Sequence, residues 1–449
     1  MNDYLDRFVR FILILLAFFI AFRIEFEIKG ASLAPVELML IFLLAATAYR
    51  FIKNPKDFDF KRIHLIPFLV FLLFAIPSRI PLLEIHGLFQ GVWHLFRNFV
   101  ELIPLMYLVL IFNLKGKDQI RSLVLILLTA SGLSALVGIM QTFSQGMLLT
   151  GQGVYGNLNY LGIFPPYPSD AHVLARYNIG NVTIVTHTPV FDVFRATGGL
   201  NFHNYFGVFL VLTSTITLSL ALYKKNIWMT GLAFIQFLGM AVSYSRAAYA
   251  GVFLSIAVLL FMRKKWARDL IVIGLLFVLV AGVLQLAYPE VFDAFIYRAY
   301  TIVNTPFDPP MEMEARLFTW KSSLHGTLEF WFYFFFGHGT GALVDVEFLG
   351  QQLTTHNDIL DILYTRGLFS FIAWMVLLIV ILKDGLRLFR HETDPFFKGF
   401  AAGAFAGILG VLVSGLNQSV LHVEETGILL WFIFGIIVFL RKRQIYDKE

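Results

Sequence analysis

Apolar runs recur along this chain at a length of roughly twenty residues, the length at which a helix crosses the hydrocarbon core of a bilayer. They fall at Phe8–Phe22, Ala34–Phe51, Leu65–Leu82, Phe99–Leu114, Ser122–Phe143, Tyr205–Leu222, Ile227–Tyr244, Ala248–Met262, Leu270–Ala287, Leu368–Leu382, Gly399–Leu416 and Gly427–Leu440. Lipid offers no hydrogen bonds, so each run must satisfy its own backbone as a helix. The expectation is an all-α polytopic membrane protein with about twelve transmembrane helices, a single membrane domain over residues 1–449. Composition agrees, since 58% of residues are hydrophobic and only 14% charged, far from the usage of soluble domains. The first run follows Arg7 and Arg10, lacks a small-x-small cleavage site and continues into Arg23-Ile-Glu-Phe-Glu. It reads as a retained first helix.

Basic residues resist translocation, so the connectors orient the helices. The clusters Lys53/Lys56/Lys61/Arg62, Lys115/Lys117/Arg121, Lys224/Lys225, Arg263/Lys264/Lys265/Arg268, Lys383/Arg387/Arg390 and Arg441/Lys442/Arg443 all fall on one side, after every second helix. Both termini are expected in the cytoplasm. The net charge of +5 is spent in these short juxtamembrane clusters and makes no folded basic face, which argues against nucleic acid as a partner. With no cysteine, disulfides, thiolate metal sites, iron–sulfur clusters and cysteine nucleophiles are excluded.

This topology leaves two long segments on the outer face, residues 144–204 and 288–366. The first is rich in Gly, Pro, Asn and aromatics (Gly151-Gln-Gly, Phe164-Pro-Pro-Tyr-Pro), with a short strand or hairpin expected at Asn181-Val-Thr-Ile-Val. The second predicts a helix from Glu312 to His325. The run Phe330-Trp-Phe-Tyr-Phe-Phe-Phe then suits the headgroup layer. Both loops are expected to pack on the membrane domain as a lid.

Arginine on the outer side works against the positive-inside bias and asks for a reason. Arg246 stands in the short connector Ser243-Tyr-Ser-Arg-Ala-Ala-Tyr-Ala, Arg316 in Ala315-Arg-Leu-Phe-Thr-Trp, and Arg195 opens Arg195-Ala-Thr-Gly-Gly-Leu-Asn-Phe-His-Asn204. His356 opens Thr355-His-Asn-Asp, and helical spacing would put it on one face with Leu360 and Leu363. Fixed guanidiniums bind phosphate or pyrophosphate through planar forks that keep their charge, and a histidine exchanges protons near neutral pH. Together they would suffice to transfer a sugar from a lipid pyrophosphate without a metal. Nucleotide sugars are not supplied outside the cytoplasm, so the donor would be membrane-borne, as polyprenyl-pyrophosphate glycans are. The bland readings stand beside this one. An isolated arginine at a helix end more often snorkels to headgroup phosphates, and a loop histidine as often makes a structural hydrogen bond. His172, His187, His203, His325 and His338 are external too. Asp308, Glu312 and Glu314 read as a solvated helix start more readily than as a metal site, and Gly337–Gly341 as a turn more readily than as a phosphate cradle.

The order of Arg195-Ala-Thr-Gly-Gly-Leu…Asn204, Ser245-Arg246-Ala, Arg316-Leu-Phe-Thr-Trp320, Gly337-His-Gly339 and His356-Asn…Gly367 resembles the O-antigen ligase family, which includes related O-antigen and exopolysaccharide polymerases. The resemblance implies a GT-C-like glycosyltransferase architecture with two large periplasmic loops in the bacterial inner membrane. It implies that Arg246, Arg316 and Arg195 bind the pyrophosphate of an undecaprenyl-linked glycan, and that His356 acts as base on an acceptor hydroxyl, with inversion. Asn204, His203, Asn357, Asp358, Trp320, Gly337, Gly339 and Gly367 would support the site, without metal or cofactor. The implied acceptor is lipid A–core or another glycan. A polymerase using the same donor stays open. A lipid-linked glycan flippase would instead place charge at mid-membrane, where this chain carries little beyond Glu101, Ser131, Gln141 and Gln236.

Overall fold

A computed structural model describes residues 2–22, 26–28, 31–58, 60, 63–74, 102–143, 152–153, 156–157, 176–179, 182–185, 195–200, 202–263, 266–304, 310–339, 344–346, 351–353, 355–420 and 424–446. Most of 144–194, including His172, His187 and the Phe164 segment, lies outside the described residues, as do Asp308 and the second half of the third apolar run.

A helix falls on each of the twelve runs: α1 (Asn2–Phe19), α2 (Pro35–Lys53), α3 (Leu65–Phe74), α4 (Leu102–Asn113), α5 (Lys117–Phe143), α6 (His203–Lys224), α7 (Ile227–Ala241), α8 (Arg246–Phe261), α9 (Trp266–Ala287), then α13 (Asp358–His391), α14 (Pro395–Gly415) and α15 (Glu424–Tyr446). Six of them, α2, α5, α6, α9, α13 and α14, are long and apolar enough to cross a membrane. Between α9 and α13 stand three more helices, α10 (Pro289–Asn304), α11 (Pro310–Glu329) and α12 (Trp331–Phe336). The Glu312–His325 expectation lies within α11, whereas α10 was not expected. Among the described residues the strands form two-stranded hairpins in connectors, one of them Arg176–Ile179 paired with Val182–Val185, where the sequence predicts a hairpin.

Polar residues start the helices where the sequence supplies them. Asn226, Ser245, Asn357 and Asp394 each accept backbone N–H groups at the first turn of α7, α8, α13 and α14, satisfying donors that the helix itself leaves open. The centre of the bundle is α6, buried along nearly its whole length, while α9 is largely exposed. α6 and α8 both pack on α14. Small residues permit that approach: a Cβ at Gly403 would lie 2.6 Å from the Ile216 Cα, and one at Gly410 would lie 2.5 Å from the Gly251 carbonyl oxygen. Close backbone contact of this kind drives helix association where lipid gives no hydrophobic incentive.

The basic connectors gather at one end of the bundle. Asp6 pairs with both Arg50 and Lys115, Lys117 with buried Glu392 at 3.0 Å, and Arg121 with Asp394 at 2.8 Å. Arg443 donates to the Lys115 carbonyl at 3.0 Å, and Lys224 lies over the Phe396 ring. Among the described residues Lys115 and Arg443, from two of the clusters grouped by connector counting, are thus neighbours in space, and Lys117, Arg121 and, from a third cluster, Lys224 all meet the segment Glu392–Phe396. Arg195, Arg246, Arg316 and His356 belong to the opposite helix ends.

Candidate functional site

At that opposite end the chain from Leu416 to Val420, which leaves α14, is the meeting point. Arg316 on α11 donates to the Asn417 side-chain oxygen. Asn204, in the first turn of α6, donates to Gln418 Oε1 at 3.3 Å. Asn357 donates to the Leu416 carbonyl at 3.1 Å, and Asp358 Oδ1 accepts the Val420 N–H at 2.8 Å. Ser414, one residue before the end of α14, donates to the Ala247 carbonyl at 2.8 Å. That bond places Arg246, the neighbour of Ala247 and first residue of α8, beside the same turn. Residues far apart in sequence therefore converge because one helix end offers carbonyls, an N–H and two amide side chains within a few residues.

Arg195 reaches the site from a strap locked in place by Gln141. Gln141 Oε1 accepts the N–H groups of Thr197 (3.0 Å) and Gly198 (2.9 Å), and its Nε2 donates to the Gly198 carbonyl at 3.0 Å. Gly198 turns the strap with a φ of +58°, a conformation that costs a side-chain-bearing residue. Arg195 then donates Nε to the Ser243 carbonyl (3.3 Å) and Nη2 to the Tyr244 carbonyl (3.2 Å) and Asn204 Oδ1 (3.2 Å). These partners are neutral oxygens that orient the guanidinium. Arg195 and Arg298 of α10 both act electrostatically on buried His203; among the described residues His203 Nδ1 has no hydrogen-bond partner.

His356 is not on the helical stripe expected of it. Asn357 caps α13, so the helix begins at Asp358, and His356 precedes the cap with a φ of +50°. It is flanked on both sides by fixed neighbours: Trp320, one turn along α11 from Arg316, donates Nε1 to the Thr355 carbonyl at 2.8 Å, and Asn357 is bonded to Leu416. The imidazole is thus carried between the α11 contact and the Leu416–Val420 turn.

The glycines act in the framework. Gly367 breaks α13 with φ +75°, ψ 178°, and Gly337 has φ +79°. A Cβ on Gly337 would lie 2.4 Å from the Thr365 and Arg366 backbone, and one on Gly367 would lie 2.4 Å from the Phe335 backbone. His338 and Gly339 donate their N–H groups to the Tyr364 (2.8 Å) and Thr365 (3.0 Å) carbonyls, groups exposed by the break. Gly337-His-Gly339 is therefore a splice between α12 and α13. The aromatic run forms α12, with Phe335 stacked on Phe369 at 5.0 Å. His338 lies between Tyr333 (4.1 Å) and Tyr364 (4.3 Å); burial lowers its pKa, opposed by the Gly326 backbone and Glu329. Among the described residues no group of three His, Asp or Glu side chains is placed to hold a metal.

Sequence reasoning missed Asn417, Gln418 and Arg298. Asn417-Gln-Ser419 interrupts the apolar pattern between the last two runs, which is the signal that marks it. Arg298 lies on α10, inside the 288–366 segment that the sequence reads as an outer loop.

A bundle of long apolar helices with a polar, arginine-bearing site at one end defines a multi-pass membrane protein. Residues 231–375 match the family described as O-Antigen ligase, the family that the motifs resemble. The match covers Arg246, Arg316, Trp320, Gly337, Gly339, His356, Asn357, Asp358 and Gly367 and stops short of Arg195, His203 and Asn204 on one side and the Leu416–Val420 turn on the other. No curated protein matches the chain.

Proposed function

We propose that this protein is an O-antigen ligase-like inverting glycosyltransferase of the bacterial inner membrane. It moves a glycan from undecaprenyl pyrophosphate to a hydroxyl of an outer-face acceptor, lipid A–core oligosaccharide. The topology is that of about twelve spans in a GT-C-like architecture, with both termini cytoplasmic and the segments 144–204 and 288–366 periplasmic. The supporting observation is the convergence of Arg195, through Asn204, of Arg316 and of the segment around His356 on the Leu416–Val420 turn, with Arg246 carried beside it by the Ala247 contact, at the end opposite the basic connectors.

In the proposed reaction the acceptor oxygen attacks the anomeric carbon from the face opposite the pyrophosphate. His356 takes the hydroxyl proton as the new C–O bond forms. The bond from the anomeric carbon to the phosphate oxygen breaks, and its electron pair leaves with undecaprenyl pyrophosphate. Arg246, Arg316 and Arg195 stabilise the charge developing there. Asn204 and His203 shape the donor side, Asn357 and Asp358 fix the base, Trp320 ties the Arg316 helix to it, and Gly337, Gly339 and Gly367 hold the framework. Charge stabilisation by fixed guanidiniums leaves no step that needs a metal.

The test is transfer by purified protein given an undecaprenyl-pyrophosphate glycan and lipid A–core in the presence of EDTA. Product in EDTA, lost in His356→Ala, Arg246→Ala and Arg316→Ala, supports the reading. Donor that lengthens on itself while lipid A–core stays unmodified makes the protein a polymerase, and an untouched donor removes the enzyme assignment.

A further inference from the structure

The basic end of the bundle holds a cleft that glycan transfer does not use. Its volume is about 690 Å³, and among the described residues its lining includes Arg7, Arg10, Arg50, Lys115, Lys117 and Arg443 against two carboxylates, Asp6 and Asp118. The cations come from α1, the end of α2, the α4–α5 connector and the end of α15, segments separated by as many as hundreds of residues. Like charges brought together from four parts of the chain repel one another; Asp6 faces Arg50 and Lys115 and Glu392 faces Lys117, so these carboxylates and Asp118 are outnumbered by the six cations. A surplus of positive charge in a cleft this large fits an anion bearing more than one phosphate.

The surroundings select a lipid as the carrier of those phosphates. On α1, Phe8 and Phe11 flank the lining residues Val9 and Arg10 and are exposed, as is Phe42 of α2, whose ring meets that of Phe8 at 6.3 Å. A cationic cleft opening beside an outward aromatic surface offers a headgroup site and a track for acyl chains. Basic pockets between membrane helices bind headgroups in this way.

We propose that this cleft binds the headgroup of a diphosphate phospholipid of the cardiolipin class, with its chains along Phe8, Phe11 and Phe42. The site is independent of the glycan-transfer end. The test is titration of full-length purified protein in mixed micelles with tetraoleoyl cardiolipin, phosphatidylglycerol, phosphatidylcholine or inorganic pyrophosphate, read by native mass spectrometry. Wild type is expected to retain cardiolipin in preference to phosphatidylglycerol and far above phosphatidylcholine. In the double variant Arg10→Gln/Lys115→Gln, both residues being exposed, cardiolipin affinity is expected to fall about tenfold or more, with unchanged gel-filtration behaviour. The control Lys224→Gln/Lys225→Gln should leave it within about twofold. Equal loss in the control makes the attraction a diffuse surface effect and overturns the site. Pyrophosphate binding that responds to the Arg10/Lys115 pair while cardiolipin does not overturns the lipid assignment in favour of a soluble polyphosphate.

Discussion

The two ends of this bundle hold their cations in different ways. At the connector end Arg121, Lys117, Arg263 and Arg268 each face a carboxylate: Asp394, Glu392 and, for the last two, buried Asp269. At the other end Arg195 is held by two carbonyls and the Asn204 amide, and Arg316 by the Asn417 amide. A carboxylate partner orients a cation and also neutralises it; an amide or carbonyl only orients it. The carboxylate pairs stabilise helix ends, whereas under the proposed function the arginines held by amides and carbonyls meet the donor's charge. Charge counts along the sequence cannot separate the two, because the distinction lies in the partner.

The largest expected effects follow from removing the groups at the orienting end. His356→Ala should lower the rate of transfer about 10²- to 10⁴-fold, the range of a lost general base, and Arg316→Ala about 10²- to 10³-fold, the range of a lost charge-stabilising donor. Arg121→Ala, at the neutralising end, should leave the rate within about twofold, since surface ion pairs contribute little. Rates from purified wild type and variants, with melting temperatures taken alongside, check all three. A rate loss in Arg121→Ala equal to that in Arg316→Ala would erase the functional difference between the ends.

A smaller and more pointed change imports the chemistry of one end into the other. Asn417→Asp replaces a neutral partner of Arg316 with a carboxylate of the same shape. The protein should be at least as stable as wild type, while its KM for the lipid pyrophosphate rises about tenfold through competition for the guanidinium. An unchanged KM would mean that Arg316 does not meet the donor's charge.

The converse substitution at the connector end, Glu392→Gln, removes the charge facing Lys117. Glu392 is buried, but Lys117 is more than a third exposed, so water screens the pair and the cost is about 1 kcal/mol of stability, with transfer unaffected. Denaturant titration of wild type and variant in one detergent measures it; no loss of stability would class this bridge with the many surface pairs that contribute nothing.

How much of this was legible depends on what signals the sequence carries. Long apolar runs mark helices by composition alone, and a helix stands on each of the twelve. Hydrogen bonds between Arg316 and Asn417, or Asn204 and Gln418, join residues 101 and 214 positions apart and leave no local pattern. His356 was misplaced onto the helix because apolar spacing was followed one residue past its start, whereas Asn357 is among the best N-cap residues and fixes the boundary. α10 escaped because Phe292 and Phe295, which pack toward the bundle core, alternate with charged residues in a segment already assigned to a loop. Gly337 and Gly367 were read from motif order, and only the backbone contact between them gives the physical reason for glycine at both.

The smallest expected effect concerns the splice between the two regions. His338, stacked between Tyr333 and Tyr364, has a pKa lowered by burial, so the folded protein holds this imidazole neutral where an unfolded chain would protonate it. The unfolded state then binds more protons below about pH 6.5, the ordinary histidine value, and stability must fall as the pH drops through that value toward the lower folded pKa. Carboxylates titrate over part of the same range, so wild type alone does not isolate the contribution. His338→Phe keeps a stacked ring and removes the titration. The difference in melting temperature between wild type and His338→Phe should therefore be constant above pH 7 and shift against wild type between pH 6.5 and pH 5. A difference that stays flat across that interval would show that acid reaches His338 as easily in the folded state as in the unfolded one.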